Sequence, residues 1–110
     1  MTVEEQITAV ERTAVALADA MRAEATLRLE RAEHEAALTA SLLGNPNPET
    51  GKPHSITSAQ LWAAQDETTL RLRREITDAE AEVIVRRGQH RAADLRAQLA
   101  VALAPLAGSL

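Results

Sequence analysis

Asn45 to Ser55 is the single turn-rich segment of the chain, and it constrains the fold more tightly than any other feature. It reads Asn-Pro-Asn-Pro-Glu-Thr-Gly-Lys-Pro-His-Ser, directly after Gly44. Gly44 supplies a helix stop, and Pro46 and Pro48 prevent a preceding helix from running on. Long helical patterns lie on both sides, and a short connection between long helices makes them antiparallel neighbours. The expected fold is therefore all-α, an antiparallel two-helix hairpin in a single domain. Helix 1 is expected over about 3–43, a tip loop over 44–57, helix 2 over about 58–104 and a short tail over 105–110.

Both helices have start signals. Thr2 with Glu5 three residues later forms a capping box, in which each side chain satisfies a backbone N–H of the other. Thr57 as N-cap places Gln60 at the reciprocal position, and Ile56 and Leu61 then fall where a hydrophobic staple requires them. In helix 1, Ile7, Val10, Ala14, Leu17, Met21, Ala25, Leu29, Ala32, Ala36, Ala40 and Leu43 recur at steps of three and four. A strict heptad would instead bring Glu24, Arg28 and Arg31 into the seam, so the apolar stripe is expected to drift at the pitch of a straight helix. The helix 2 stripe runs Leu61, Thr68, Leu72, Ile76, Ala79 and Val83, resumes at Leu95, Leu99 and Ala102, and is closed by Pro105 and Gly108. Each helix would be roughly 60–70 Å long.

Symmetric pairing about the loop sets Leu29 level with Leu72, and Leu17 with Val83 or Ile84. Helix 2 then overshoots the start of helix 1, which offers Leu99, Val101, Leu103 and Leu106 as an oligomer interface. The chain has 110 residues, 45% of them apolar, yet Trp62 is its only aromatic. Alanine, leucine, valine and isoleucine suit thin helix–helix seams better than a thick core. A lone pair of helices buries little, so a dimer or larger homo-oligomer is expected, with a four-helix bundle as its form. Gly88, within Arg86-Arg87-Gly88-Gln89-His90, is either a tolerated glycine or a break that makes three helices.

Charge and composition remove several function classes. The net charge of −4 opposes general attraction to nucleic acid or to an anionic membrane. There is no cysteine, hence no disulfide framework or thiolate chemistry. Met1-Thr2-Val3-Glu4-Glu5 has none of the features of a signal peptide, and the charge-free stretch Ala97 to Leu110 is too short to cross a bilayer and contains Pro105. A soluble, cytoplasmic protein is expected. His34, His54 and His90 share no metal-ligand spacing, so each reads as a surface or seam residue and no metal or other cofactor is expected. Gly51-Lys52 does not form a phosphate loop, because six residues separate Gly44 from Gly51 and Pro53 follows the lysine. No Ser/His/Asp grouping has support, and Glu80 and Glu82 point to different sides of a helix, so no catalytic residues are assigned and the chain reads as a non-enzyme.

Eleven arginines stand against a single lysine, Lys52. Helix-spaced acids such as Glu24 with Arg28 and Glu82 with Arg86 explain most of them as a salt-bridged face. Arg71, Arg73 and Arg74, and then Arg86, Arg87 and Arg91, form two local basic clusters that could contact phosphates of a nucleic acid, although this is not the favoured reading. The tip is the more notable segment. It offers Asn47, Thr50, Lys52, His54 and Ser55 on a proline-stiffened frame, and Trp62 one turn into helix 2 could brace the loop or anchor a protein partner.

Pro48-Glu49-Thr50-Gly51-Lys52-Pro53-His54-Ser55-Ile56-Thr57-Ser58-Ala59 resembles the Gly-Lys-Pro-His-Ser-x-Thr-x-Ala segment of small helical accessory proteins from tailed phages and prophages. The resemblance covers about a dozen residues. It implies an accessory protein acting in the bacterial cytoplasm, and supplies no activity. The expected function is a non-enzymatic protein–protein interaction module, with a phage-type role of binding or inhibiting a host protein. The alternatives are a nucleic-acid-associated recombination or replication accessory protein, and a structural subunit of a phage particle or other assembly.

Overall fold

The structure is a computed structural model that describes residues 2–108. It is all-α: helix accounts for 87% of it, and no strand forms among the described residues. There are three helices, α1 (Val3–Leu43), α2 (Ile56–Gln65) and α3 (Glu67–Gly108). Their contacts divide into two compact units. One combines the residues up to Ala23 with those from Ala79 onward, and the other is Glu24–Asp78.

The start of α1 follows the capping logic of its sequence. Thr2 Oγ1 accepts from the Glu5 backbone N–H at 3.1 Å. At its other end, the Asn45 side-chain amide donates to the Ser41 carbonyl at 3.0 Å, which satisfies one of the orphan acceptors of the last turn.

The second long helix expected from the sequence is interrupted, and not at Gly88. A Cβ at Gly88 would meet nothing within 4 Å, and α3 runs through it without a break. The interruption is at Asp66, whose backbone is extended (φ −58°, ψ 143°). Asp66 Oδ2 accepts the Thr68 N–H at 3.1 Å and the Asp66 carbonyl accepts the Leu70 N–H at 2.9 Å, so Asp66 is the N-cap of α3. Helix α2 also begins earlier than the Thr57 signal suggests. Ser55, at φ −71° and ψ 166°, accepts from the Ser58 N–H at 3.1 Å, and Thr57 lies inside the first turn. The helix therefore takes Ile56 and Thr57 from the expected tip loop. Pro105 does not end α3 either. Proline lacks only one donor and so removes a single rung from the last turns of the helix. Ser109 and Leu110, in the expected tail, lie outside the described residues.

Burial shows why the apolar stripe of α1 misleads. In the first unit, Val3, Gln6, Val10, Thr13, Leu17 and Ala20 are half-buried, whereas Ile7, Ala14 and Met21 are exposed. In the second unit the half-buried positions include Glu24, Leu27, Arg31, His34 and Leu38, whereas Ala25, Leu29, Ala32, Ala36 and Ala40 are exposed. The buried seam thus keeps a strict 3.5-residue repeat with polar residues in it. The apolar stripe, at 3.6 residues, slides off that seam by about 20° per heptad. On α3, Thr69, Leu72 and Ile76 are buried in the second unit, and Val83, Ala93 and Ala97 in the first, with Arg86 and His90 half-buried between them. Leu95 and Leu99, expected to continue the stripe, are 54% and 59% exposed, and Leu61 is 57% exposed.

Some polar seam residues are partnered across helices within each unit, while Glu24, Arg31 and Arg86 pair along their own helix. In the first, Thr13 Oγ1 lies 3.0 Å from His90 Nδ1. Because the Thr13 hydroxyl donates to the Ala9 carbonyl at 2.9 Å, His90 Nδ1–H is the donor of the pair. In the second, Glu35 of α1 holds Arg31 at 2.8 Å and Arg73 of α3 at 4.0 Å. The exception is Thr69. It is fully buried, and its hydroxyl has no hydrogen-bond partner among the described residues. An orphaned buried hydroxyl costs on the order of 1 kcal/mol or more. Thr69→Val keeps the side-chain shape and removes that group, so thermal unfolding followed by circular dichroism should show a higher midpoint for the variant. A lower midpoint would mean that the hydroxyl has a partner.

Candidate interaction sites

The tip is a built loop, and Asn47 is its centre. The Asn47 N–H donates to the Lys52 carbonyl at 2.6 Å, while the Asn47 carbonyl accepts from Thr50 and Gly51 at 3.2 and 2.7 Å. Its side-chain Oδ1 accepts the Glu49 N–H at 2.9 Å. Gly51 has a positive φ of 70°, a conformation that glycine adopts without strain. Pro46 and Pro53 face each other in an isolated bridge that closes the base of the loop.

A polar relay runs from this loop into α2. Asn47 Nδ2 donates to Ser58 Oγ at 3.2 Å, and Ser58 Oγ lies 2.9 Å from His54 Nδ1. Ser58 Oγ thus links the Asn47 amide to the His54 ring, whose Nε2 is buried with no partner among the described residues. The His54 ring meets Trp62 in a T-shaped contact, with centroids 5.4 Å apart and planes at 74°. Such edge-to-face pairs fix the orientation of both rings. The relay thus ends by positioning the only tryptophan of the chain.

Of the tip residues selected from sequence, Asn47 and His54 are buried, and they build the loop rather than present from it. Ser55 is committed as the α2 N-cap, and the Thr50 hydroxyl accepts the Lys52 N–H at 3.3 Å. Thr50 and Lys52 are exposed, and Trp62 is half-buried. Trp62 lines a cavity of about 580 Å³ in the second unit, together with Leu38 and Leu42 of α1 and Leu61 of α2. Glu49, Gln65 and Asp66 supply its polar lining.

Asp66 escaped selection from the sequence, although it ties α1 to the junction of α2 and α3. His34 Nε2 lies 2.8 Å from Asp66 Oδ2, an oxygen that also caps α3. The hydrogen bond from His34, aided by the N–H groups of Thr69 and Thr68 and by the His34 charge, holds the Asp66 carboxyl below its usual 3.8 against an opposing effect of partial desolvation.

Three of the six cluster arginines have an acidic neighbour. Arg71 pairs with Glu75 at 4.0 Å, Arg73 with Glu35 at 4.0 Å, and Arg86 with both Glu82 at 2.6 Å and Gln89 at 3.2 Å. Arg74, Arg87 and Arg91 are exposed. The C-terminal apolar set is exposed as well, with Leu99, Val101, Leu103 and Leu106 at 59%, 53%, 48% and 62%. No group of three or more His, Asp or Glu side chains is placed to hold a metal ion among the described residues, and no helix among them is long and apolar enough to cross a membrane.

Comparison of the chain with protein-family models, with curated proteins and with solved structures gives no match.

Asp66 is ionised more readily in the fold than in the unfolded chain, so its contribution to stability is complete above its ordinary value and is lost as pH falls below 3.8 through the lowered pKa. Asp66→Asn keeps a capping side chain without the charge. The wild type should melt higher than this variant at about pH 6, and the gap should close by about pH 2. An equal gap at both pH values would remove the carboxylate–His34 bond from the account.

Proposed function

We propose that the chain is a non-enzymatic protein-interaction module: an antiparallel helical hairpin that associates with a second copy through exposed apolar side chains and presents its tip to a protein partner. The observation that carries this reading is the balance of burial. Among the described residues, Leu72, Ile76 and Val83 are the only large aliphatic side chains that are buried; Val10, Leu17, Leu27, Leu38 and Leu42 are half-buried, and a larger set from Ile7 to Leu106 is at least 41% exposed. Exposed large apolar side chains in this number mark an interaction surface.

The exposed side chains are organised by face. On α3, Ile84, Leu95 and Leu99 share a side with Gly88. On α1, Leu29 and Leu43 share a side with Ala25, Ala32, Ala36 and Ala40. Such faces suit the pairing of helices from two copies into a four-helix bundle. The resemblance of the tip to phage accessory proteins supports a partner in a bacterial cytoplasm. Nucleic-acid binding has less support, because Arg71, Arg73 and Arg86 are paired with acids.

Sedimentation velocity over a hundredfold range of concentration tests self-association. The wild type should sediment as a dimer or larger species, and Leu99→Glu with Leu103→Glu should weaken association at least tenfold while helicity is retained. A wild type that stays monomeric throughout would overturn the self-association reading.

A further inference from the structure

The cavity beside the tip combines features that no other part of the described chain combines. Leu38, Leu42, Leu61 and the Trp62 indole give it apolar walls. The charged groups that line it, Glu49 and Asp66, are both acidic, and no basic side chain lines it. Gln65 and Asp66 stand where α2 ends and α3 begins. Asp66 is held in its carboxylate form by the Thr68 N–H and His34. Glu49 engages the loop through its backbone N–H, which leaves its exposed carboxylate available to a ligand.

We infer that this cavity receives an arginine side chain of a protein partner. The inference rests on reading the chain as a protein-interaction module, and it assigns the chemistry of one contact. The leucine walls match the three-carbon stem of arginine, which buries readily along apolar surface. Trp62 borders the cavity, and aromatic rings attract cations, a planar guanidinium stacking on them better than an ammonium does. The carboxylates and the Gln65 amide oxygen accept the N–H groups of the guanidinium. His54 does not line the cavity and contacts Trp62 elsewhere, so the relay from Asn47 holds the indole in place and leaves the cavity wall free. At about 580 Å³ the cavity has room for the residues that flank the arginine. Tryptophan and arginine are also the residue types that dominate interface energetics, and hot spots tend to pair across an interface.

Trp62 is the only tryptophan, so its fluorescence reports on this cavity without labelling. The full-length chain would be titrated with the peptide acetyl-Ala-Arg-Ala-amide, with the same peptide carrying citrulline, the neutral isostere, and with agmatine. The arginine peptide should change Trp62 emission saturably, and citrulline should bind at least tenfold more weakly. Glu49→Gln, a substitution on the exposed loop that leaves its backbone hydrogen bond in place, should weaken the peptide about tenfold and leave self-association unchanged. Equal responses to arginine and citrulline would overturn the inference, as would an unchanged affinity in Glu49→Gln. Agmatine binding more tightly than the peptide would overturn it too, by making the ligand a free amine. Sedimentation of the same samples separates the two readings. Self-association without peptide binding would sink the cavity assignment and leave the interaction module standing, whereas peptide binding by a monomeric chain would support the cavity alone.

Discussion

Most of the second unit depends on one carboxylate. Asp66 gives α3 its N-cap, stands at the end of α2 and accepts a hydrogen bond from His34 of α1, so one short side chain joins three helices. Its local effect on phase is as important as its bonds. Ala63 and Thr69, both fully buried, are six residues apart, and in one continuous helix they would sit about 120° out of phase. The extended Asp66 backbone resets the phase, so that Ala59 and Ala63 of α2 and Thr69, Leu72 and Ile76 of α3 are all buried within the same unit.

Downstream of that choice, the tip and the cavity follow. With α2 set as a separate short helix, Ser58 faces the loop and meets Asn47 and His54, and Trp62 one turn later meets the His54 ring. Prolines and the Asn47 hydrogen bonds stiffen the loop before any partner arrives, which lowers the entropy lost on docking. Elsewhere the seams are thin and carry polar pairs such as Thr13–His90 and Glu35–Arg73. Pairs of this kind add little stability, and their best-attested use is to fix register. A chain organised in this way specifies which residues meet while leaving much apolar surface uncovered, and that combination suits a module completed by association.

The helical class was legible from punctuation alone. Thr2, Gly44 and the prolines of the tip marked α1 because capping and chain breaking are local effects, independent of what the helix packs against. The Asp66 break was harder to see, since no glycine or proline accompanies it. Two signals were present: an aspartate followed by Glu67, a sequence typical of a helix start, and the phase slip between Ala63 and Thr69. Neither registers when the larger Leu61 is taken as the seam residue in place of alanine. The α1 seam was obscured for a related reason. Glu24, Arg31 and His34 occupy its heptad positions, and hydrophobicity cannot reveal seam positions filled by polar groups that pair along the helix or, as His34 does with Asp66, across helices. At the tip the residue types were legible but their roles were not, because Asn47 and His54 are as suitable for holding a loop together as for binding a partner. The cavity could not be read at all, since Leu38, Glu49 and Trp62 become neighbours only through the fold.

The central claim is that Asp66 divides the helical segment after the tip and sets the phase on either side of it. Backbone Cα chemical shifts of the wild-type chain between Gln60 and Leu72 test it directly. The account predicts helical shifts on both sides of an extended value at Asp66. An uninterrupted run of helical shifts through Asp66 would contradict it.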